Sequence, residues 1–207
     1  YLDTVRVLGG TVDAIEFPLP QSQEAWDHVQ QLLAERGLER EDINRGNYIV
    51  VAPGARWAVK EWPIPHFSQL CKRLVEDGQN VVLMGAPADQ DKSQAIVDAV
   101  QDPRLIDMTG ATSLEELTEL IRYSKLYISA DTGPLHLANA LKKPLIAMYG
   151  TTSPDRTGPY GGDYVHILVS PTSKATAKEP LVDDPDCMAQ LSVDEVWNTY
   201  VALKDTL

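Results

Sequence analysis

The sequence predicts a doubly wound α/β domain, a parallel sheet with helices on both faces. Short apolar runs recur along it: "YIVVA" (48–52), "NVVLM" (80–84), "RLIDM" (104–108), "LYIS" (126–129), "LIAMY" (145–149) and "VHILV" (165–169). These runs are continuous rather than alternating, as strands are when both faces of a sheet are covered. Between most of them lie segments of helical period, so strand and helix alternate from residue 48 to about 150.

The first 45 residues read differently. "TVDAIEFPLP" has the look of a strand ending at two prolines, and "AWDHVQQLLAERG" of a helix with Trp26, Val29, Leu32 and Leu33 inward. "LEREDINRGN" reads as a charged linker. The segment has too few partners to form a domain by itself. Further on, "FSQLCKRLVEDG" places Phe67, Leu70, Cys71, Leu74 and Val75 on one helical stripe that Gly78 ends. "KSQAIVDAV" turns Ile96, Ala99 and Val100 inward. "TSLEELTELIRYS" opens with Ser113 and Glu116 at capping-box spacing and lines up Leu114, Leu117, Leu120 and Ile121. "SPTSKATAKEPLVDDPD" reads as an irregular loop. A last helix follows in "SVDEVWNTYVALKDTL", with Val196, Tyr200, Leu203 and Leu207 on one face.

At 207 residues and 43% apolar content, the chain can bury a sizeable core. Its 18 basic and 30 acidic residues leave a formal net charge of -12, which argues against a nucleic-acid partner. Small anions stay possible, because helix N-termini and a few cations hold them locally. Cys71 and Cys187 lack CxxC spacing, so neither a disulfide framework nor a zinc site is expected. No apolar run reaches 18 residues and no signal peptide is visible, so no transmembrane segment is predicted. A start at Tyr1 rather than Met reads as a piece of a longer protein.

In such sheets ligands bind at the C-terminal ends of the strands. Four loops there are chemically loaded. "APGARWAVKEWP" carries Arg56 and Lys60, two cations suited to an anionic ligand, or else is a solvated loop whose Trp57 and Trp62 pack. "MGAPADQD" offers Gly85 for close backbone approach. It also offers Asp89 or Asp91 to accept from ribose hydroxyls, or simply to complement a helix dipole. In "TGATSL", Thr109 and Gly110 follow a strand, and Ser113 reads most simply as a cap. The fourth is "SADTGPLHLANA": Asp131 and Thr132 end a strand, Gly133 turns, Pro134 suits a first helical turn, and His136 projects from it. Alone, the acid reads as a cap and the histidine as a half-buried side chain. Together with Gly133, and opposite a loop bearing Lys60, they favour a phosphate and sugar site.

"PGARWAVKEWP", "TGATSLEEL", "SADTGPLHLANALKKPLIAMYGTTSPDRTGP" and "CMAQLSVDEV" together resemble the ADP-heptose:lipopolysaccharide heptosyltransferases, glycosyltransferase family 9, from about residue 48 to 200. The resemblance implies the C-terminal half of a GT-B fold, the half that holds the nucleotide-sugar. Residues 46–207 would form that Rossmann-like donor-binding domain, and residues 1–45 the tail of the N-terminal domain and the connection. By resemblance, Lys60 pairs with the diphosphate. Asp131, Thr132, Gly133 and His136 surround diphosphate and sugar, and Asp89 holds the ribose. The family transfers its sugar with inversion, without a tightly bound metal or a cofactor, and its general base is an aspartate of the N-terminal domain. Where the family often has small hydroxyl residues, this chain has Ala55, Arg56 and Trp57. Arg56 there replaces hydroxyl contacts with a charge or marks another donor.

The expected function is thus a cytoplasmic glycosyltransferase, by default taking ADP-heptose as donor and a lipid-linked saccharide as acceptor. A peripheral position on the inner face of the membrane suits that acceptor, although the chain shows no polybasic or amphipathic anchor. This piece alone is expected to be inactive. The alternatives are a GT-B-type nucleotide-sugar epimerase and a non-catalytic nucleotide-binding module.

Overall fold

The computed structural model describes residues 2–11, 15–179 and 181–207. Six parallel strands form one sheet in the order β3-β2-β1-β4-β5-β6. They are β1 (Ile49–Ala52), β2 (Val81–Leu83), β3 (Leu105–Asp107), β4 (Leu126–Ala130), β5 (Leu145–Tyr149) and β6 (Val165–Val169). All six apolar runs are therefore strands. The order reverses between β1 and β4, which pair from Ile49 with Leu126 to Ala52 with Ser129. Connections leave that point toward opposite edges of the sheet, which opens a crevice above the C-terminal ends of β1 and β4.

Successive residues of each strand serve opposite faces. Ile49, Val51, Ile128, Ile146 and Met148 pack on one side with α4 (Ile64–Glu76), α5 (Gln90–Val100) and α9 (Val193–Leu203). Val50, Ala52, Tyr127, Ala147 and Tyr149 pack on the other with α2 (Gln23–Glu35), α6 (Leu114–Tyr123) and α7 (Gly133–Ala140). Trp26, Val29 and Leu33 of α2 belong to that second core, so residues ahead of β1 are joined to the domain. The first helix, α1, spans Leu2–Val7, and α8 is a single turn, Pro154–Thr157.

Several local expectations change. Within "LEREDINRGN" lies a helix, α3 (Arg40–Arg45), closed by Gly46 at φ 64°. Leu38 and Ile43 are its buried anchors, too few apolar residues for a period to be read. Of the N-terminal strand expected in "TVDAIEFPLP", residues 12–14 lie outside the described residues, and 15–20 run without regular structure. Pro18 and Pro20 have no N–H to offer a ladder there. In α5, Ala99 is exposed and the inward face is Ser93, Ile96, Val97 and Val100. Leu114, expected on the apolar stripe of α6, is 70% exposed, and it stands at the mouth of the cavity described next.

Candidate functional site

A cavity of about 900 Å³ opens where the strand order reverses. Ala52, Met84 and Leu117 give it apolar surface, while the loop after β1, the loop after β2 and the starts of α6 and α7 form its walls. Gly54 makes this closure possible. A Cβ there would lie 2.3 Å from the Asp89 carboxyl carbon, so only glycine lets the two loops touch. Arg56 and Asp89 line the cavity, as do Thr132 and Gly133. The structure thus brings together four of the seven residues that the sequence nominates.

The turn between β4 and α7 leaves the helix start without a side-chain cap, and the Thr132 hydroxyl instead meets Ser129 Oγ at 3.3 Å. Thr132 is the N-cap in extended conformation and makes no side-chain cap hydrogen bond, and Pro134 occupies the first turn. A Cβ on Gly133 would meet nothing within 4 Å. Packing inside the protein therefore does not demand a glycine there. The open space is the cavity itself, and the free N–H groups and dipole of a helix N-terminus stand at its edge. His136 follows on the exposed side of this first turn, outside the cavity lining, with no hydrogen bond among the described residues.

Lys60 and Asp131 form an ion pair at 2.6 Å, with side chains 15% and 6% exposed. Both stand next to lining residues, Lys60 beside Glu61 and Asp131 beside Thr132. Lys60 Nζ also lies 4.7 Å from the centroid of the Trp57 ring, a cation–π contact. Thr157 Oγ1 donates to Asp131 Oδ2 at 3.4 Å. Burial, and then the nearby Asp131 charge, push the pKa of the Tyr149 hydroxyl far up, so this neighbour stays protonated. Lys60 therefore bears on stability as well as on the site, because removing its ammonium would strand a buried carboxylate.

Asp89 is engaged within the protein. Its Oδ2 accepts from the Ala86 N–H at 3.1 Å and its Oδ1 from Lys92 Nζ at 3.0 Å. Asp91, the other candidate, is exposed and outside the lining. Two further lining residues escape sequence reasoning. Glu61 accepts from Lys92 Nζ at 2.5 Å and from the Ala55 N–H at 3.2 Å. The spacing of Asp89 and Lys92, three apart at a helix start, is a signal that could have found the lysine. Glu61 gives none beyond standing next to Lys60. Trp62, by contrast, is wholly buried, with its indole N–H donated to the Leu191 carbonyl at 2.8 Å. Among the described residues no group of three His, Cys, Asp or Glu is arranged to hold a metal ion.

An apolar cavity at the switch point of a parallel sheet, edged by an uncapped helix N-terminus and by cations, lies where doubly wound α/β domains hold their ligands. Comparison with known proteins narrows this. The profile of glycosyltransferase family 9 (heptosyltransferase) matches residues 6–183, and the chain belongs to that family. It is 33% identical over 141 residues to lipopolysaccharide heptosyltransferase 2 of Salmonella typhimurium, covering 65% of this chain and 40% of that relative. The chain thus spans less than half the length of this curated relative. Among solved structures, a family 9 glycosyl transferase from Veillonella parvula superposes with a TM-score of 0.81 at 21% identity, over 98% of this chain and 58% of that one. An E. coli heptosyltransferase, WaaC, solved with ADP, gives 0.66 at 24%, over 96% and 53%. The fold is that of the C-terminal, Rossmann-like half of a GT-B glycosyltransferase. No helix among the described residues is long and apolar enough to cross a membrane.

Proposed function

We propose that this chain is the donor-binding part of a heptosyltransferase-type enzyme, which takes a nucleoside-diphosphate sugar, ADP-heptose by default. The observation that carries the reading is the pairing of the cavity with the uncapped N-terminus of α7. The nucleoside occupies the apolar part between Met84, Ala86 and Leu117. The diphosphate lies over Thr132 and Gly133, within reach of Arg56 and Lys60. Asp131 and His136 stand on the sugar side, and Asp89 serves the ribose with whatever acceptor capacity its two internal bonds leave.

Breaking the bond from sugar to diphosphate places negative charge on the departing nucleoside diphosphate. Fixed dipoles and cations aimed at that charge lower the barrier without reorganising. Here the α7 terminus, Arg56 and Lys60 have that role. Transfer proceeds with inversion to a lipopolysaccharide-type, lipid-linked acceptor, with the general base supplied from outside this chain. Such an acceptor would be met in the cytoplasm at the inner face of the cell membrane.

Calorimetric titration with ADP, UDP and GDP tests the reading. ADP is expected to bind tightest, and the binding to persist in EDTA. Failure of all three nucleotides to bind would overturn it, and a strict need for Mg²⁺ would count against the transfer chemistry assigned.

A further inference from the structure

We propose that Lys92 is a positioning residue for the diphosphate. Through Glu61 it fixes the Ala55–Arg56 segment and so aims Arg56 into the cavity. The inference rests on the functional reading above and adds a residue to it.

The cavity walls come from separate elements, the loop after β1 and the start of α5. Lys92 ties them. Its ammonium meets Glu61 at 2.5 Å and Asp89 at 3.0 Å, and the same Glu61 oxygen accepts the Ala55 N–H at 3.2 Å. One carboxylate oxygen therefore couples the helix-borne cation to the peptide just ahead of Arg56. The Arg56 side chain has no hydrogen bond or ion pair among the described residues, and it lines the cavity. Its backbone thus has to set its direction, and the brace on Ala55 does so.

Charge separates positioning from direct binding. Lys92 sits between two carboxylates, and the cluster as a whole is still negative, so it is no anion clamp. Without Lys92, two bare carboxylates would face the same cavity that must accept a diphosphate. The three side chains are 29%, 20% and 16% exposed for Lys92, Glu61 and Asp89, so solvent screens them only in part. Burial alone would lower the Lys92 pKa, yet the hydrogen bonds to Glu61 and Asp89 outweigh it and leave the pKa raised. The brace stays charged across the neutral range.

The test is calorimetry with ADP and with adenosine on the wild type, Lys92→Met, Lys92→Arg, Arg56→Ala and the Arg56→Ala/Lys92→Met double variant, with thermal melts alongside. Lys92→Met is expected to weaken ADP about tenfold and adenosine hardly at all, and Lys92→Arg to recover most of the loss. In the Arg56→Ala background, Lys92→Met should add nothing, since the residue being aimed is gone. Should Lys92→Met melt too early to titrate, Glu61→Leu removes the acceptor that joins Lys92 to Ala55 and is expected to give the same non-additive loss. An unchanged ADP affinity in Lys92→Met, or an equal further loss in the Arg56→Ala background, would overturn the inference. A wild type that binds no ADP would instead overturn the functional reading.

Discussion

Three helices start in the same way in the sequence, with a small polar residue ahead of an apolar run, and they end up differently. At α6, Ser113 Oγ accepts from the Glu116 N–H and Glu116 accepts in return from the Ser113 N–H. At α9, Ser192 and Glu195 repeat this box. At α7, Thr132 makes no cap bond, and the position three residues on is the apolar Leu135, so no box can form. The starts of α6 and α7 both border the cavity, but the box at α6 bonds its polar groups within the protein, as at α9, whereas α7 has no side-chain cap. On the function proposed above, stability and ligand binding fall to different helix starts of one sheet.

Substitutions that separate these two roles follow, from the largest expected effect to the smallest. Gly133→Val puts a branched side chain into the open space above α7, where even a Cβ has no protein neighbour. ADP binding should fall by about a hundredfold or more, roughly 3 kcal/mol, while the melting temperature stays within a few degrees. A calorimetric titration with a parallel melt reads both.

Lys60→Ala should weaken ADP by about 1.5–3 kcal/mol, the size of a charge-assisted hydrogen bond. It should also lower stability by about 2 kcal/mol, because the Asp131 carboxylate, 6% exposed, loses its cation. Chemical denaturation separates the second effect from the first. Asp131→Asn/Lys60→Ala should recover part of the stability and none of the binding.

Ser192→Ala removes a box distant from the cavity. It should cost about 1 kcal/mol in denaturant titration and leave ADP affinity unchanged. Loss of ADP binding there would break the division of labour between helix starts.

The smallest effect concerns the anchoring of α9. Hydrogen bonds from Lys204 and then Tyr200 hold the Asp77 carboxyl below its ordinary value of 3.8. A depressed carboxylate contributes stability that is present above the unfolded pKa and is lost as pH falls through the folded one. Asp77→Asn should therefore cost up to about 1 kcal/mol at neutral pH, after allowance for solvent screening. The gap from wild type should close below about pH 3.8 in acid titrations of stability.

Much of the fold is legible in the sequence because a parallel sheet writes itself as unbroken apolar runs. The six runs and the six strands agree to within one residue at most ends. Caps are legible too, since Ser113 and Glu116 are neighbours in sequence as well as in space. What stays hidden depends on distance along the chain. Lys60 and Asp131 are 71 residues apart and Glu61 and Lys92 are 31 apart, so nothing local marks either pair. The sequence marks Lys60, Asp131 and Asp89 as polar groups near a sheet edge, but not that each already has a partner. Leu114 misleads for a related reason: a helical stripe is blind to a cavity that opens beside its first turn.

The most direct test of the central claim, that the α7 N-terminus faces the diphosphate, is a ¹⁵N-labelled amide titration with ADP and, separately, adenosine. Both nucleotides should shift resonances of the cavity's apolar part, around Ala86 and Leu117. Only ADP should shift the amides of Gly133, Leu135 and His136, and those of Val193 and Asp194 at the boxed start of α9 should stay still. Equal shifts at Gly133 with ADP and adenosine, or ADP shifts that leave the α7 start untouched, would contradict the account.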